Sequence, residues 1–184
     1  MITLQPFNLK NVGLHFKWNN DKHINYFDSD YPYQIEDFTT FSSRVNRIAE
    51  NTGGSNYIYE IHVSDTQQMI GVVDIIGVDH CNLQCSVSCT IGDKKFRNKG
   101  YGTAALKQTV NLCFKQLGMN KVTTAAFDFH SVWVHIVKKC GFTIEGVLRQ
   151  HELKGEKFSD KMIFALLRQE FEVIEFNKVH HKAV

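Results

Sequence analysis

Three observations predict one α/β domain. The chain has 184 residues, 43% of them hydrophobic, which is enough to bury a core. No low-complexity tract or linker divides it. At Gly100 the apolar spacing changes from alternation, the mark of a strand, to a period of about 3.6 residues, the mark of a helix.

Leu9 to Lys17 reads as a short first helix, followed by a polar loop with interleaved aromatics, WNNDKHINYFDSDYPY. Phe38, Phe41, Val45, Ile48 and Ala49 recur at helical spacing, so Ile35 to Glu50 is predicted helical and Gly53-Gly54 ends it. Tyr57 to Val63 and Met69 to Val78 read as strands joined by a turn at Asp65 to Gln68. A turn at Asp79 to Asn82 leads into a third strand, Gln84 to Gly92. There Cys85, Val87, Cys89 and Ile91 share one face, and Ser86, Ser88 and Thr90 the other.

Ala105, Leu106, Val110, Cys113, Phe114 and Leu117 then mark a helix that Gly118 ends. Lys121 to Asp128 is rich in strand formers. Ser131 is expected to cap a helix through Cys140, stopped by Gly141. Phe142 to Leu153 and Phe158 to Leu167 read as strands around Lys154-Gly155-Glu156, and a polar tail closes the chain.

The net charge is only +2 with the nine histidines neutral, so a nucleic-acid-coating surface is not expected. No apolar run approaches the roughly 20 residues of a membrane helix. The first residues, MITLQPFNLKNVG, do not read as a signal peptide. Five cysteines, an odd number, argue for a reducing, cytoplasmic setting. Cys81, Cys85 and Cys89 are poorly spaced for a metal. On a strand Cys85 and Cys89 stand about 13 Å apart, whereas zinc needs ligands about 2.3 Å away. They read as small core residues, and no metal is expected. His180-His181 reads as a tail end.

The segment that carries chemistry is Arg97-Asn98-Lys99-Gly100-Tyr101-Gly102-Thr103, between a strand and a helix. Glycines there admit close backbone approach of a ligand. The first turn of the helix offers N–H groups to an anion, and Lys94, Lys95, Arg97 and Lys99 add positive charge. This is a cradle for phosphate or pyrophosphate. The G-x-x-x-x-G-K-[ST] loop is absent. Gly100, Gly102 and Ala105 match G-x-G-x-x-[GA], but LGMNKV stands where a dinucleotide site would carry an acid.

R-N-K-G-Y-G resembles the [RQ]-x-x-G-x-[GA] signature of the GNAT acyl-coenzyme A N-acyltransferases. T-I-G-D before K-K-F-R-N-K-G-Y-G-T-A-A-L resembles the family's fourth strand and pyrophosphate helix. K-K-C-G-F-T-I-E-G-V-L-R, the K-G-E turn with Asp160, and the early W-N-N-D resemble the branch of ribosomal-protein and spermidine N-acetyltransferases. Residues 9–170 follow the pattern in order, implying one domain over 1–184 with 171–184 as a tail. The resemblance implies a mixed sheet, splayed near its middle and flanked by helices, with acetyl-coenzyme A in the splay. Pantetheine would lie along Cys89, Thr90 and Ile91, and the pyrophosphate on N–H groups of Arg97 through Thr103. It also implies an edge strand suited to a homodimer.

Two positions depart from that pattern. The helix after the fifth strand would carry an Asn contacting the cofactor and a Tyr protonating the thiolate. Here they are His130 and Val137. Valine cannot donate a proton, while Cys140 or a water remains for that duty. Thr90 stands where relatives often have a Glu base. Asp28, Asp30, Glu36 and Asp74 are then the candidate bases. Trp18, Tyr26, Phe27, Tyr31 and Tyr33, with Asp21, Asp28, Asp30 and Glu36, would border an acceptor site for a cationic amine such as a polyamine, a peptide N-terminus or an amino sugar. The expected activity is acetyl transfer from acetyl-coenzyme A to a primary amine. The alternative is a coenzyme A-binding module that has lost catalysis through Val137.

Overall fold

The computed structural model describes residues 1–28, 35–50 and 54–180. Among the described residues seven strands form one sheet, in the order β1-β2-β3-β4-β5-β7-β6. They are β1 (Ile2–Pro6), β2 (Tyr57–Val63), β3 (Met69–Asp79), β4 (Gln84–Ile91), β5 (Lys121–Phe127), β6 (Thr143–Lys154) and β7 (Lys157–Leu167). The helices are α1 (Val12–Asn19), α2 (Lys22–Asp28), α3 (Phe38–Glu50), α4 (Tyr101–Lys115), α5 (Ser131–Lys139) and α6 (Arg168–His180).

Every strand pair is antiparallel except β4 with β5. That parallel ladder joins only Gln84–Ser86 to Lys121–Thr123. Beyond it β4 stays on β3 as far as Ile91, opposite Gly71. β5 stays on β7 as far as Phe127, opposite Lys161. The sheet is therefore two sub-sheets zipped at one end and splayed at the other.

α4 packs on one face of the sheet. Its Ala105 joins Ile61, Ile70 and Val73, and its Leu106, Val110, Cys113 and Phe114 join Ile75, Val87 and Val122. The other face lies under the N-terminal helices, where Trp18, Ile24 and Met69 cluster against Val72. Trp18 approaches Gly92 so closely that a β-carbon there would overlap its indole.

Four expectations change. Ile2–Pro6, unassigned above, is a strand along β2, with Ile2 opposite Val63. It is too short to show periodicity by itself. The polar loop after Trp18 contains α2, whose start is fixed by Asp21 Oδ1 accepting the His23 and Ile24 N–H groups at 2.8 and 3.3 Å. The tail is helical as α6, held by Phe171 stacking on Phe114 with centroids 4.9 Å apart. The cap position of α5 is His130, not Ser131, and makes no side-chain capping bond. Gly53 and His181 lie outside the described residues. Among the described residues no helix is long and apolar enough to cross a membrane.

Candidate functional site

A cavity of about 860 Å³ occupies the splay. Cys89, Thr90 and Ile91 line it from β4, and Arg97, Asn98, Gly100, Gly102 and Thr103 from the loop and α4. His23, Ile24 and Phe27 come from α2, Phe129 and His130 from the β5–α5 junction, and Trp133 and Ile136 from α5. Cys89 and Thr90 are adjacent on a strand, so their side chains point to opposite faces of the sheet. Both line the same cavity. The cavity therefore passes through the sheet, from the α4 face to the face under the N-terminal helices.

The loop is shaped by its own hydrogen bonds. Asp93 Oδ1 accepts the Lys95 N–H at 3.0 Å, starting a 3₁₀ turn over Lys94–Phe96. The Arg97 N–H is taken by the Lys94 carbonyl at 3.3 Å. Its guanidinium donates to the Ile91 carbonyl at 2.9 Å and to the Gly92 carbonyl at 3.2 Å. The Arg97 side chain thus ties the loop to the end of β4. Gly100 sits at φ +82°, a left-handed conformation that side chains resist. Ala104 donates to the Gly100 carbonyl at 3.0 Å, so the N–H groups of Tyr101, Gly102 and Thr103 precede the helix ladder and face outward from its end. With the helix dipole they favour an anion. A β-carbon on Gly102 would approach nothing closer than Ile136 Cδ1 at 3.4 Å. Lys99 and Tyr101 do not line the cavity. Lys99 Nζ lies 5.7 Å from the Phe96 ring centroid, and the Tyr101 and Phe96 rings are 5.8 Å apart.

His130 stands on the cavity wall with its ring 4.7 Å from that of Phe27. Burial pushes its imidazole down to about 4. At neutral pH it is an uncharged group that can both donate and accept.

The other candidates fall in different places. The Glu36 carboxylate is gripped by Arg44, through Nε at 3.1 Å and the terminal nitrogen at 2.7 Å. Trp18 is 7% exposed and packs into the core. Neither lines the cavity. Cys140 Sγ lies 3.9 Å from the Thr103 carbonyl and lines a second groove, between α4, α5 and α6. Val137 is fully buried in the main core. Asp74 lies beneath α1 and α3, with the Ser88 hydroxyl donating to Oδ2 at 3.1 Å. Burial raises its carboxyl, while Ser88, His15 and Arg44 pull it part of the way back. The side chain of Asp28, and Asp30, Tyr31 and Tyr33, lie outside the described residues.

Sequence reasoning missed the contribution of His23, Phe129, Trp133 and Ile136. Phe129 stacks on Phe127 with centroids 5.4 Å apart, at a junction whose chain direction only the splay defines.

The sequence matches the family described as acetyltransferase (GNAT) domain over residues 2–143. This chain belongs to the GNAT acetyltransferase family. It is 24% identical over 113 residues to an SPbeta prophage-derived uncharacterized N-acetyltransferase of Bacillus subtilis, spanning 61% of this chain and 63% of that relative's length. A second uncharacterized N-acetyltransferase of Bacillus subtilis is 20% identical over 151 residues, 82% of this chain and 84% of the relative. Among solved structures, spermidine N-acetyltransferase from Vibrio cholerae in complex with CoA and spermine superposes with a TM-score of 0.84 at 18% identity, covering 92% of this chain and 97% of that one. The fold of this GNAT chain is thus that of the spermidine enzyme.

Proposed function

We propose that this GNAT chain is an N-acetyltransferase that moves the acetyl group of acetyl-coenzyme A directly to a primary amine. The observation that carries this reading is the passage through the sheet, opened at Cys89 and Thr90. A donor entering on the α4 face and an acceptor entering from the α2 face can meet there without a covalent enzyme intermediate. The donor fits the residues present: α4 offers N–H groups to a pyrophosphate, and Gly102 leaves the approach open. Asn98 through Thr103 would hold the phosphates, and Cys89 to Ile91 would lie along the pantetheine.

Acetyl-coenzyme A supplies an activated acyl group as a thioester. The protein's part is to align the amine, exclude water with the Phe27, Phe129 and Trp133 wall, and manage protons. That the similar Vibrio cholerae structure holds CoA and spermine supports a cationic amine, with polyamines first in order of trial. All five cysteines are free, which suits a reducing cytoplasm.

Thiol release from acetyl-coenzyme A across polyamines, peptides and amino sugars tests the proposal. Turnover above the no-enzyme rate for an amine is expected. One observation favours a second reading: Val137 is fully buried where the resemblance expects an acid. Binding of acetyl-coenzyme A with no amine acetylated would establish that reading, a coenzyme A-binding module.

A further inference from the structure

An alkylamine is almost wholly ammonium at neutral pH, with a pKa of about 10.4 for a lysine-like group. It must lose a proton before its nitrogen can attack. The described carboxylates of the N-terminal region are committed elsewhere. Asp21 starts α2. Asp37 starts α3, accepting the Thr40 N–H at 3.0 Å. Glu36 is held by Arg44, and Glu60 by four hydrogen bonds.

Asp74 differs from all of these. It stands on β3 directly opposite Ser88, and Val72, two residues back, stands opposite Thr90. Asp74, Ser88, Val72 and Thr90 therefore share one face of the sheet. Thr90 lines the cavity. Same-face neighbours two positions apart on a strand have Cα atoms about 6.7 Å apart, and hydroxyls that lean toward one another across that interval can share one bridging water. Ser88 is the one hydrogen-bond partner of the Asp74 carboxylate among the described residues. The groups facing it are His15 from α1, Arg44 from α3, Glu60 across β2, and Ser88 and Thr90 on β4. Arg44 directs its bonds to Glu36 and Asn19 instead. Asp74 does not itself line the cavity, but among these carboxylates only it combines the acceptor-side face, a cross-strand partner two residues from Thr90, and spare lone pairs.

We propose that Asp74 accepts the proton of the incoming ammonium, through a water held by Ser88 and Thr90, and so selects a primary amine entering from the α2 side. This rests on the reading of the chain as an N-acetyltransferase. One N–H bond of the ammonium breaks and its proton passes through the water to Asp74. The freed lone pair forms the N–C bond to the acetyl carbon as the C–S bond breaks. The second nitrogen proton goes to the departing sulfur through solvent, giving amide and coenzyme A thiol, and Asp74 returns its proton to bulk water. Burial keeps the carboxyl above the usual aspartate range, which brings its basicity closer to what proton transfer near neutrality requires.

The test is Asp74→Asn, which keeps an acceptor for the Ser88 hydroxyl but cannot take a proton. Acetyl-coenzyme A affinity, read by calorimetry, should stay within about twofold. At pH 7.5 kcat/KM for the amine should fall by about 10²–10³-fold, and the low-pH limb of its pH profile should disappear. Asp74→Glu should keep that limb. Ser88→Ala, which removes a hydrogen bond to the charged form, should move it upward by about one pH unit. Asp74→Asn with kcat/KM within threefold of wild type and an unchanged profile overturns the proposal. If Asp74→Asn does not fold, an unmoved limb in Ser88→Ala overturns it equally. Wild-type protein that acetylates no amine defeats the transferase reading itself, and this proposal with it.

Discussion

The Arg97 guanidinium donates to the Ile91 carbonyl at 2.9 Å, fastening the loop before α4 to the last residue of β4. Its second bond, to Gly92 at 3.2 Å, closes the fork. The charge therefore works within the protein, at strand carbonyls that would otherwise face a gap. This explains physically why a signature position can hold Arg or Gln: both donate N–H, and only one is charged. Arg97→Gln is expected to keep coenzyme A affinity within about threefold, while Arg97→Met, which donates nothing, should lose about tenfold or more. Isothermal titration of the two variants checks this. Equal losses would assign the Arg97 charge to the ligand instead.

Gly102 separates folding from binding. Its β-carbon position has ordinary van der Waals clearance, 3.4 Å from Ile136 Cδ1 and 3.9 Å from Ile91 Cγ1. Gly102→Asp should therefore fold, yet place a carboxylate in front of the α4 N–H groups and abolish coenzyme A binding. Gly100→Ala should behave in the opposite sense. At φ +82° a methyl group costs about 1–2 kcal/mol of stability while leaving the N–H groups in place. Thermal midpoints beside ligand titrations distinguish the two. A Gly102→Asp protein that binds coenzyme A normally defeats the loop assignment.

The sheet from β2 through β7 was legible because each strand is a run of at least seven residues, and in β4 Cys85, Val87, Cys89 and Ile91 alternate cleanly with polar residues. Before β4, Asp79 Oδ1 accepts the Cys81 and Asn82 N–H groups in the turn predicted there. The loop after β4 was legible for the same local reason. The cavity's other walls were not. Phe27 and His130 are far apart in sequence and meet at 4.7 Å because β5 leaves β4 after three residues of pairing. Glu36 looked like a free carboxylate in an acidic stretch, and only its two bonds to Arg44 remove it from the acceptor site. Such long-range pairings leave no local pattern.

A buried carboxylate makes stability depend on pH. Glu60 is 1% exposed. It accepts from the Asn8 N–H at 2.9 Å and Asn11 Nδ2 at 2.7 Å, and pairs with His15 Nε2 at 3.1 Å and His62 Nε2 at 2.8 Å. Burial acts to raise its carboxyl, but the bonds from His15, His62, Asn8 and Asn11 outweigh burial and hold it below its ordinary value. A carboxyl lowered in the folded state stabilises above its unfolded pKa, and that contribution is lost as pH falls through the folded pKa. Thermal midpoints should thus drop steeply from about pH 4.5 downward. Glu60→Gln should flatten this dependence and cost about 1–3 kcal/mol near pH 7, since an amide cannot accept all four of these hydrogen bonds and leaves buried donors unsatisfied. A Glu60→Gln protein as stable as wild type at pH 7 would contradict this account.

Val137 bears on the missing acid. Restoring the tyrosine of related enzymes at this position looks from sequence like a route to faster turnover. The structure gives a different expectation. Val137 is 0% exposed within the core that includes Trp133, Cys140, Phe142 and Phe164. The α5 side chains that reach the cavity include its neighbour Ile136 and Trp133, one turn earlier. A tyrosine at 137 must force that core apart, at a cost of about 1–3 kcal/mol, and bury a hydroxyl among apolar side chains. Val137→Tyr is therefore expected to lower the thermal midpoint by several degrees without raising kcat. Ile136→Tyr directs the same phenol into the cavity, where it can reach a departing sulfur, and should be the better donor of the two. Turnover measured for both variants at saturating amine decides the matter. Faster turnover in Val137→Tyr alone would mean that the core opens there when coenzyme A binds.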